Sequence, residues 1–248
     1  TLKRLSKEDI FTWLFATIHK YDLSLVSENG YEYYGCESSK GLGAYNKLRY
    51  HKLRDDFNKK AEKDDEYYLM FYLLIVYSFN NQLRFNKKGE SNLPVGKRDF
   101  NSKMQGKLER FLDRIKTGDY RFTNCDFRDV DFMDYTDKSF FYADPPYLIT
   151  CATYNEQEGW TEKDETDLLT YLEELDRRGI RFALSNVLEN KGKENAILVN
   201  WLKRNKRFKV IELSYDYSNS NYHTKREGVT REVLVVNYET GDMGIWKK

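Results

Sequence analysis

Cysteine, proline and histidine are nearly absent from this 248-residue chain, at three residues each. Cys36, Cys125 and Cys151 are widely separated and odd in number. They offer no disulfide framework and no zinc spacing, and they suit a reducing cytosol. His19, His51 and His223 have no partner spacing that suggests a metal or a general base. Net charge is also missing: 41 Lys and Arg against 40 Asp and Glu leave +1. The total is therefore silent about polyanionic partners, and only a local basic patch can support nucleic-acid binding. No apolar run is long. The longest, roughly Tyr67 to Tyr77, is too short for a bilayer and reads as a buried helix. Thr1-Leu2-Lys3-Arg4 leads into a charged amphipathic segment rather than a signal peptide. Glycine is absent until Gly30, so no glycine-rich turn opens the chain.

What is present is globular and polar, with 40% hydrophobic, 33% charged and 16% aromatic residues. Ser6-Lys7-Glu8-Asp9 reads as a capping box ahead of Ile10, Trp13, Leu14, Ile18 and Tyr21 at helical spacing. A Gly- and Tyr-rich connector over 27–43 precedes a helix with Tyr50, Leu53 and Phe57 on one face. The apolar helix to Tyr77 follows, then an amide-rich break over 78–84. Arg84 to Arg98 reads as a hairpin with a basic, Gly-containing turn, and Met104, Leu108, Phe111, Leu112 and Ile115 mark another helix closed by Gly118. Strands and helices then alternate. Strands are expected at 120–123, up to Ala143, at 180–184, 208–213 and 232–238. Helices are expected after Thr161, with Leu168, Leu169, Leu172 and Leu175, and around Ile197, Leu198, Trp201 and Leu202. This order predicts a helical domain over 1–117, carrying the hairpin 84–98, and an α/β domain over 118–248 with a largely parallel sheet.

The stretch with chemical content is Asp144-Pro145-Pro146-Tyr147, directly after the strand Ser139–Ala143. Each proline fixes φ and lacks an N–H, so the loop leaves the sheet stiffly, with a carboxylate, a free carbonyl and a ring. It stands at the strand edge where open α/β sheets bind ligands. An exocyclic amine on a planar ring has two N–H donors. Asp144 can accept one and the Pro145 carbonyl the other, while Tyr147 stacks on the ring. Two acceptors localise the nitrogen lone pair, and the amine becomes a nucleophile for an electrophilic methyl group. No covalent enzyme intermediate is needed, which fits the absence of a Cys-His or Ser-His arrangement here. An amine inside a duplex is reached only by flipping the base.

On these residues the chain resembles the Dam-type, D12-class adenine-N6 DNA methyltransferases, from about Arg84 to Tyr238 and most densely over Tyr142–Thr150. The resemblance implies a Rossmann-like, S-adenosylmethionine-dependent α/β fold with a helical target-recognition domain. It implies S-adenosylmethionine as cofactor and double-stranded DNA as partner, with adenine of a short palindrome, typically GATC, as acceptor. It further implies a cytoplasmic enzyme encoded by a bacterium or phage, with no metal and no membrane association. Carried over, Asp144, Pro145, Pro146 and Tyr147 form the catalytic loop. Asp126 and Phe127 lie beside the cofactor adenine, and Asp144 and Tyr154 also face the cofactor. Ser185-Asn186 matches the family's Ser-Asn after the next strand, and 218–230 its mobile loop.

Arg84-Phe85-Asn86-Lys87-Lys88-Gly89-Glu90 with Pro94-Val95-Gly96-Lys97-Arg98 resembles the family's target-recognition hairpin. Arg84 and Arg98 would read guanine, Asn80 and Asn81 base edges, and Pro94 a thymine methyl. Lys87, Lys88, Lys97 and Lys103 suit phosphates. Gln82 stands where relatives carry an apolar wedge. Relatives also begin with a strand and a glycine-rich cofactor turn that nothing here matches, which suggests a member lacking that N-terminal segment. A complementing segment or a restriction endonuclease is then an expected partner, and the oligomeric state is open. Two other readings stand beside the first. One is a catalytically incomplete DNA-binding fragment or half of a split enzyme. The other is a methyltransferase acting on cytosine N4 or RNA adenine.

Overall fold

The computed structural model describes residues 1–131, 133, 135–150, 159–213 and 230–239. Two compact units are present, Thr1–Phe122 and Thr123–Lys248.

The first unit holds α1 (Lys7–Lys20), α2 (Val26–Tyr33), α3 (Gly43–Lys59), α4 (Asp65–Tyr77) and α5 (Ser102–Thr117). Three of the four long helices, α1, α4 and α5, begin where a side chain can satisfy their free N–H groups, while α3 follows Leu42 with no side-chain cap. Ser6 Oγ accepts from the Asp9 amide at 2.9 Å, Asp64 from Tyr67 at 2.8 Å, and Asn101 from Lys103 and Met104. The apolar stripes meet in one core: Ile10, Leu14 and Ile18 against Tyr50, Leu53 and Phe57, Leu69, Leu73 and Tyr77, and Leu108, Leu112 and Ile115. The connector expected over 27–43 instead contains α2. None of its residues is buried, and Gly30 breaks it with φ 71°, so no apolar periodicity announces it.

The second unit holds β1 (Phe140–Ala143), α6 (Glu162–Arg177), β2 (Arg181–Asn190), β3 (Lys193–Glu194), α7 (Ala196–Arg204), β4 (Lys209–Leu213) and β5 (Thr230–Val236). Strand order is β1-β2-β5-β4, with β3 paired to β2. Leu168, Leu169, Leu172 and Leu175 of α6 and Leu198 and Trp201 of α7 share a core with Phe182, Leu184, Val233 and Val235 of the sheet. Lys191 and Gly192 take φ of 52° and 78°, the two positive values that a tight β2–β3 hairpin requires.

Three expectations are corrected here. The sheet is mixed rather than largely parallel: β5 enters between β2 and β4 and runs against both, leaving β1–β2 as the parallel pair. Residues 120–123 form no strand, having no neighbour to pair with, and Phe122 is 72% exposed. The strand expected to end at Leu184 continues to Asn190, so Ser185-Asn186 lies inside it, held by pairing to β5 on one side.

Candidate active site

β1 delivers the acidic loop. Its last residue, Ala143, is buried and pairs with Leu184 of β2, and Asp144 then emerges exposed at the strand's C-terminal end. Tyr142 and Ser185 share a 2.8 Å hydrogen bond through their hydroxyls, pinning the end of β1 to the middle of β2. Beyond the two prolines the chain turns tightly, because both the amide and the hydroxyl of Thr150 donate to the Tyr147 carbonyl, at 3.1 and 3.2 Å. This turn carries the Tyr147 hydroxyl back to 3.4 Å from Asp144 Oδ1, a long contact that leaves the carboxylate accessible. Among the described residues no donor reaches the Pro145 carbonyl. Two acceptors one residue apart and a ring therefore share one short, stiff loop.

The Asp126-Phe127 segment is built onto the start of α6. Asp126 opens a 3-10 turn, Phe127–Asp129, by accepting from the Arg128 amide at 2.9 Å. The Arg128 guanidinium then spans Asp126 at 3.0 Å, Asp164 at 2.7 Å and Asp167 at 2.8 Å. Hydrogen bonds to Asp164 and Asp167 hold its pKa above the ordinary arginine value. Asp164 also closes the α6 capping box with Thr161, and the Thr161 hydroxyl, then Arg128, pull its carboxyl down to about 2. Phe127 packs against Trp160 and edge-on to Tyr171, with centroids 5.8 and 6.1 Å apart.

Behind this segment lies Glu165, 0% exposed, with no salt-bridge partner among the described residues. Its carboxylate accepts from Trp160 Nε1 at 2.7 Å and from the amides of Asn186 and Asn195, each at 2.9 Å. Three N–H donors replace the water that the buried charge gave up. Trp160, Glu165 and Arg128 were not singled out from the sequence. The Trp-Thr-x-x-Asp-Glu spacing at the α6 cap is the signal that could have found them. Tyr154, and the loop 218–230 except its last residue, lie outside the described residues.

The base-reading candidates belong to the first unit. Instead of a regular two-stranded hairpin, the segment reverses at Asn86–Glu90 with two isolated antiparallel bridges, Phe85↔Ser91 and Ser78↔Val95. Asn86 organises the turn by accepting from the Lys88 and Glu90 amides, and Asn58 of α3 clamps Ser91 through both its amide and its carbonyl. Arg84 is held in place rather than loose: Nε donates to Asn92 Oδ1 at 2.7 Å and Nη2 to the Asn92 carbonyl at 3.0 Å. Lys87, Lys88, Pro94, Lys97 and Arg98 are exposed. Asn80 and Asn81 both adopt φ 54°. The Asn81 side-chain amide is spent on the last carbonyls of α4, at 3.2 and 2.8 Å from Ile75 and Val76, so only its oxygen remains for a partner. Phe79, beside them, is half exposed, an aromatic the sequence reading passed over.

Neither unit contains, among its described residues, a cluster of three His, Cys, Asp or Glu able to hold a metal. No helix among them is long and apolar enough to cross a membrane.

Comparison with known proteins adds an independent line. The family model for D12 class N6 adenine-specific DNA methyltransferases matches residues 32–219. The modification methylase StsI of Streptococcus sanguinis is 37% identical over 206 residues, covering 81% of this chain and 30% of that protein. The type II methyltransferase M.FokI of Planomicrobium okeanokoites is 33% identical over 244 residues, 96% of this chain and 33% of that protein. The DNA adenine methylase of Escherichia coli K12 is 28% identical over 141 residues, 55% of this chain and 49% of that one. The chain thus spans about a third of the length of the first two relatives. The match covers the acidic loop, the Asp126 segment and the Arg84 turn alike, and the chain belongs to the D12 class of N6 adenine-specific DNA methyltransferases.

Proposed function

We propose that this chain carries the amine-binding and base-reading parts of an enzyme that methylates adenine N6 in a short duplex DNA site. The observation that carries the proposal is the Asp144-Pro145 pair of acceptors at the C-terminal end of β1, with Tyr147 folded back beside them. Asp144 and the Pro145 carbonyl receive the two N–H groups of a flipped adenine, and Tyr147 covers its face. Drawing on both hydrogens localises the lone pair on N6. As the new N–C bond formed and the methyl group's bond to the donor sulfur broke, the donor would depart as a neutral thioether and the surplus proton would leave along the hydrogen bond to Asp144.

The methyl donor proposed is S-adenosylmethionine. Asp126 and Phe127 suit its adenosine part, because a part-exposed carboxylate accepts from an exocyclic amine and an adjacent aromatic ring stacks on the base. When bound, the donor supplies an electrophilic methyl group. Arg128 ties Asp126 to α6, and Trp160 fixes the ring of Phe127 from behind.

Recognition is assigned to the turn in the first unit. Arg84, preset by Asn92, offers its remaining N–H groups to guanine, and the exposed lysines contact phosphates. The relatives named as modification methylases support placing the protein in a restriction–modification system, with an endonuclease as functional partner. Transfer of labelled methyl groups to duplexes containing GATC, against scrambled adenine-containing duplexes, tests this reading. Label recovered in N6-methyladenine and abolished by Asp144→Ala supports it. Label in cytosine, or an equally active Asp144→Ala variant, overturns it.

A further inference from the structure

The near-zero net charge hides a division between the units. Thr1–Phe122 contains 23 Lys and Arg against 17 Asp and Glu, whereas Thr123–Lys248 contains 18 against 23. Part of the basic surplus is arranged on α5, a separate element from the Arg84 turn. Lys103, Lys107, Arg110 and Arg114 recur at intervals of four, three and four residues. That spacing sets them within about 60° of one another around the helix and spreads them over about 16 Å of its length.

All four are exposed, and none forms a salt bridge among the described residues. The acids of the same helix occupy the other flank. Glu109 and Asp113 both reach Lys7, at 3.4 and 2.9 Å, while Leu108, Leu112 and Ile115 point into the core. α5 thus has an acidic flank already paired with Lys7 and a basic flank with no acidic partner among the described residues. Mutual repulsion along a cation row is a standing cost that ordinary surface design avoids by interspersing signs. The row starts five residues after Arg98, with buried Asp99 and Phe100 and the cap residue Asn101 between.

We propose that this flank of α5 is a second DNA-contact surface, binding the sugar-phosphate backbone of the duplex outside the bases read by the Arg84 turn. The inference rests on the DNA reading above and extends it to residues with no base-reading role. Duplex DNA is the occupant that fits: it presents a linear array of negative charges that a linear row of four cations matches, and binding releases counterions. Contacts of this kind position the protein without specifying sequence.

The test is the salt dependence of binding to a fluorescent duplex by the protein and by a variant combining K103Q, K107Q, R110Q and R114Q. The expected result is a log–log salt slope smaller in magnitude by about three to four, at ~0.9 for each of the four phosphate contacts. Affinity at low salt should fall at least about tenfold, equally for duplexes with and without the methylated site. The pair E109Q and D113Q, on the opposite flank, serves as the control and should leave the slope unchanged. Circular dichroism verifies that each variant is folded. A wild-type protein that binds duplex steeply with salt, alongside a folded quadruple variant of identical slope, overturns the inference and leaves the proposed function standing. A wild-type protein that binds no duplex overturns both. Loss of binding to phosphatidylserine vesicles with DNA binding intact would assign the row to a membrane surface and also overturn it.

Discussion

The indole N–H of Trp160 donates to Glu165 Oε2 at 2.7 Å, while Oε1 of the same buried carboxylate accepts from Asn186 and Asn195. One acidic side chain thereby ties the ring behind Phe127 to the strand beside the Asp144 loop. Glu165→Gln is a selective cut. Its oxygen still serves the two asparagines, but its NH2 faces the indole N–H, donor against donor. A stability loss of about 1–3 kcal/mol is expected from the unpaired buried donor. Affinity for S-adenosylhomocysteine by calorimetry should also drop several-fold. Adding Trp160→Phe, which removes the opposed donor, should restore part of the stability. Unchanged cofactor affinity would show that the Phe127 ring is set by other contacts.

Arg84 is preset by two hydrogen bonds to Asn92, a fork that lysine cannot reproduce. Arg84→Lys should keep the turn folded and lose about 1–3 kcal/mol of discrimination at one guanine position. Methylation rates on duplexes substituted base by base measure this. Equal losses at every position would reassign Arg84 to phosphate contact.

Gly96 and Gly106 should respond to alanine with opposite signs. A Cβ at Gly96 would run into the Ser78 carbonyl oxygen, where backbone meets backbone. Gly96→Ala should destabilise by about 1–3 kcal/mol and weaken DNA binding through the displaced turn. Gly106 lies inside α5, and a Cβ there would meet the mobile end of Arg110 at 3.4 Å. Gly106→Ala should gain about 0.5–1 kcal/mol. Urea unfolding of both variants decides the comparison.

Asp164 predicts an acid limit. Its carboxyl is held down at about 2 by Thr161 and Arg128. A folded-state pKa below the unfolded value contributes stability above the unfolded value and loses it as pH falls toward the folded one. The α6 cap and its hold on Arg128 should therefore persist to about pH 4 and fade between about 4 and 2. Asp164→Asn removes the titration, so its stability deficit, followed by circular dichroism, should be constant near neutrality and shrink over that window. A deficit independent of pH would assign the cap to hydrogen bonding alone.

Legibility tracked how local the cause was. α1, α4 and α6 start at the residues their caps require, since an N-cap and the amides it serves lie within three residues of each other. α2 was invisible because its kinked turn buries nothing. The basic turn was readable from Arg, Asn, Gly and Lys, but not that Asn92 would preset Arg84 or that Asn81 would cap α4. Those assignments depend on which donors and acceptors meet after folding.

By itself the sequence determined the Asp144 loop, because two prolines and a preceding run of β-formers dictate a rigid exit from a strand whatever surrounds it. It likewise determined the family and the order of most elements. Tertiary structure alone decided the sheet's direction, since the antiparallel entry of β5 between β2 and β4 leaves no trace in local periodicity. It alone decided that Glu165 would be a buried charge held by three N–H donors drawn from outside its helix. The reason is physical: alternation and capping act over a few residues, whereas burying a carboxylate requires donors that only the completed fold assembles.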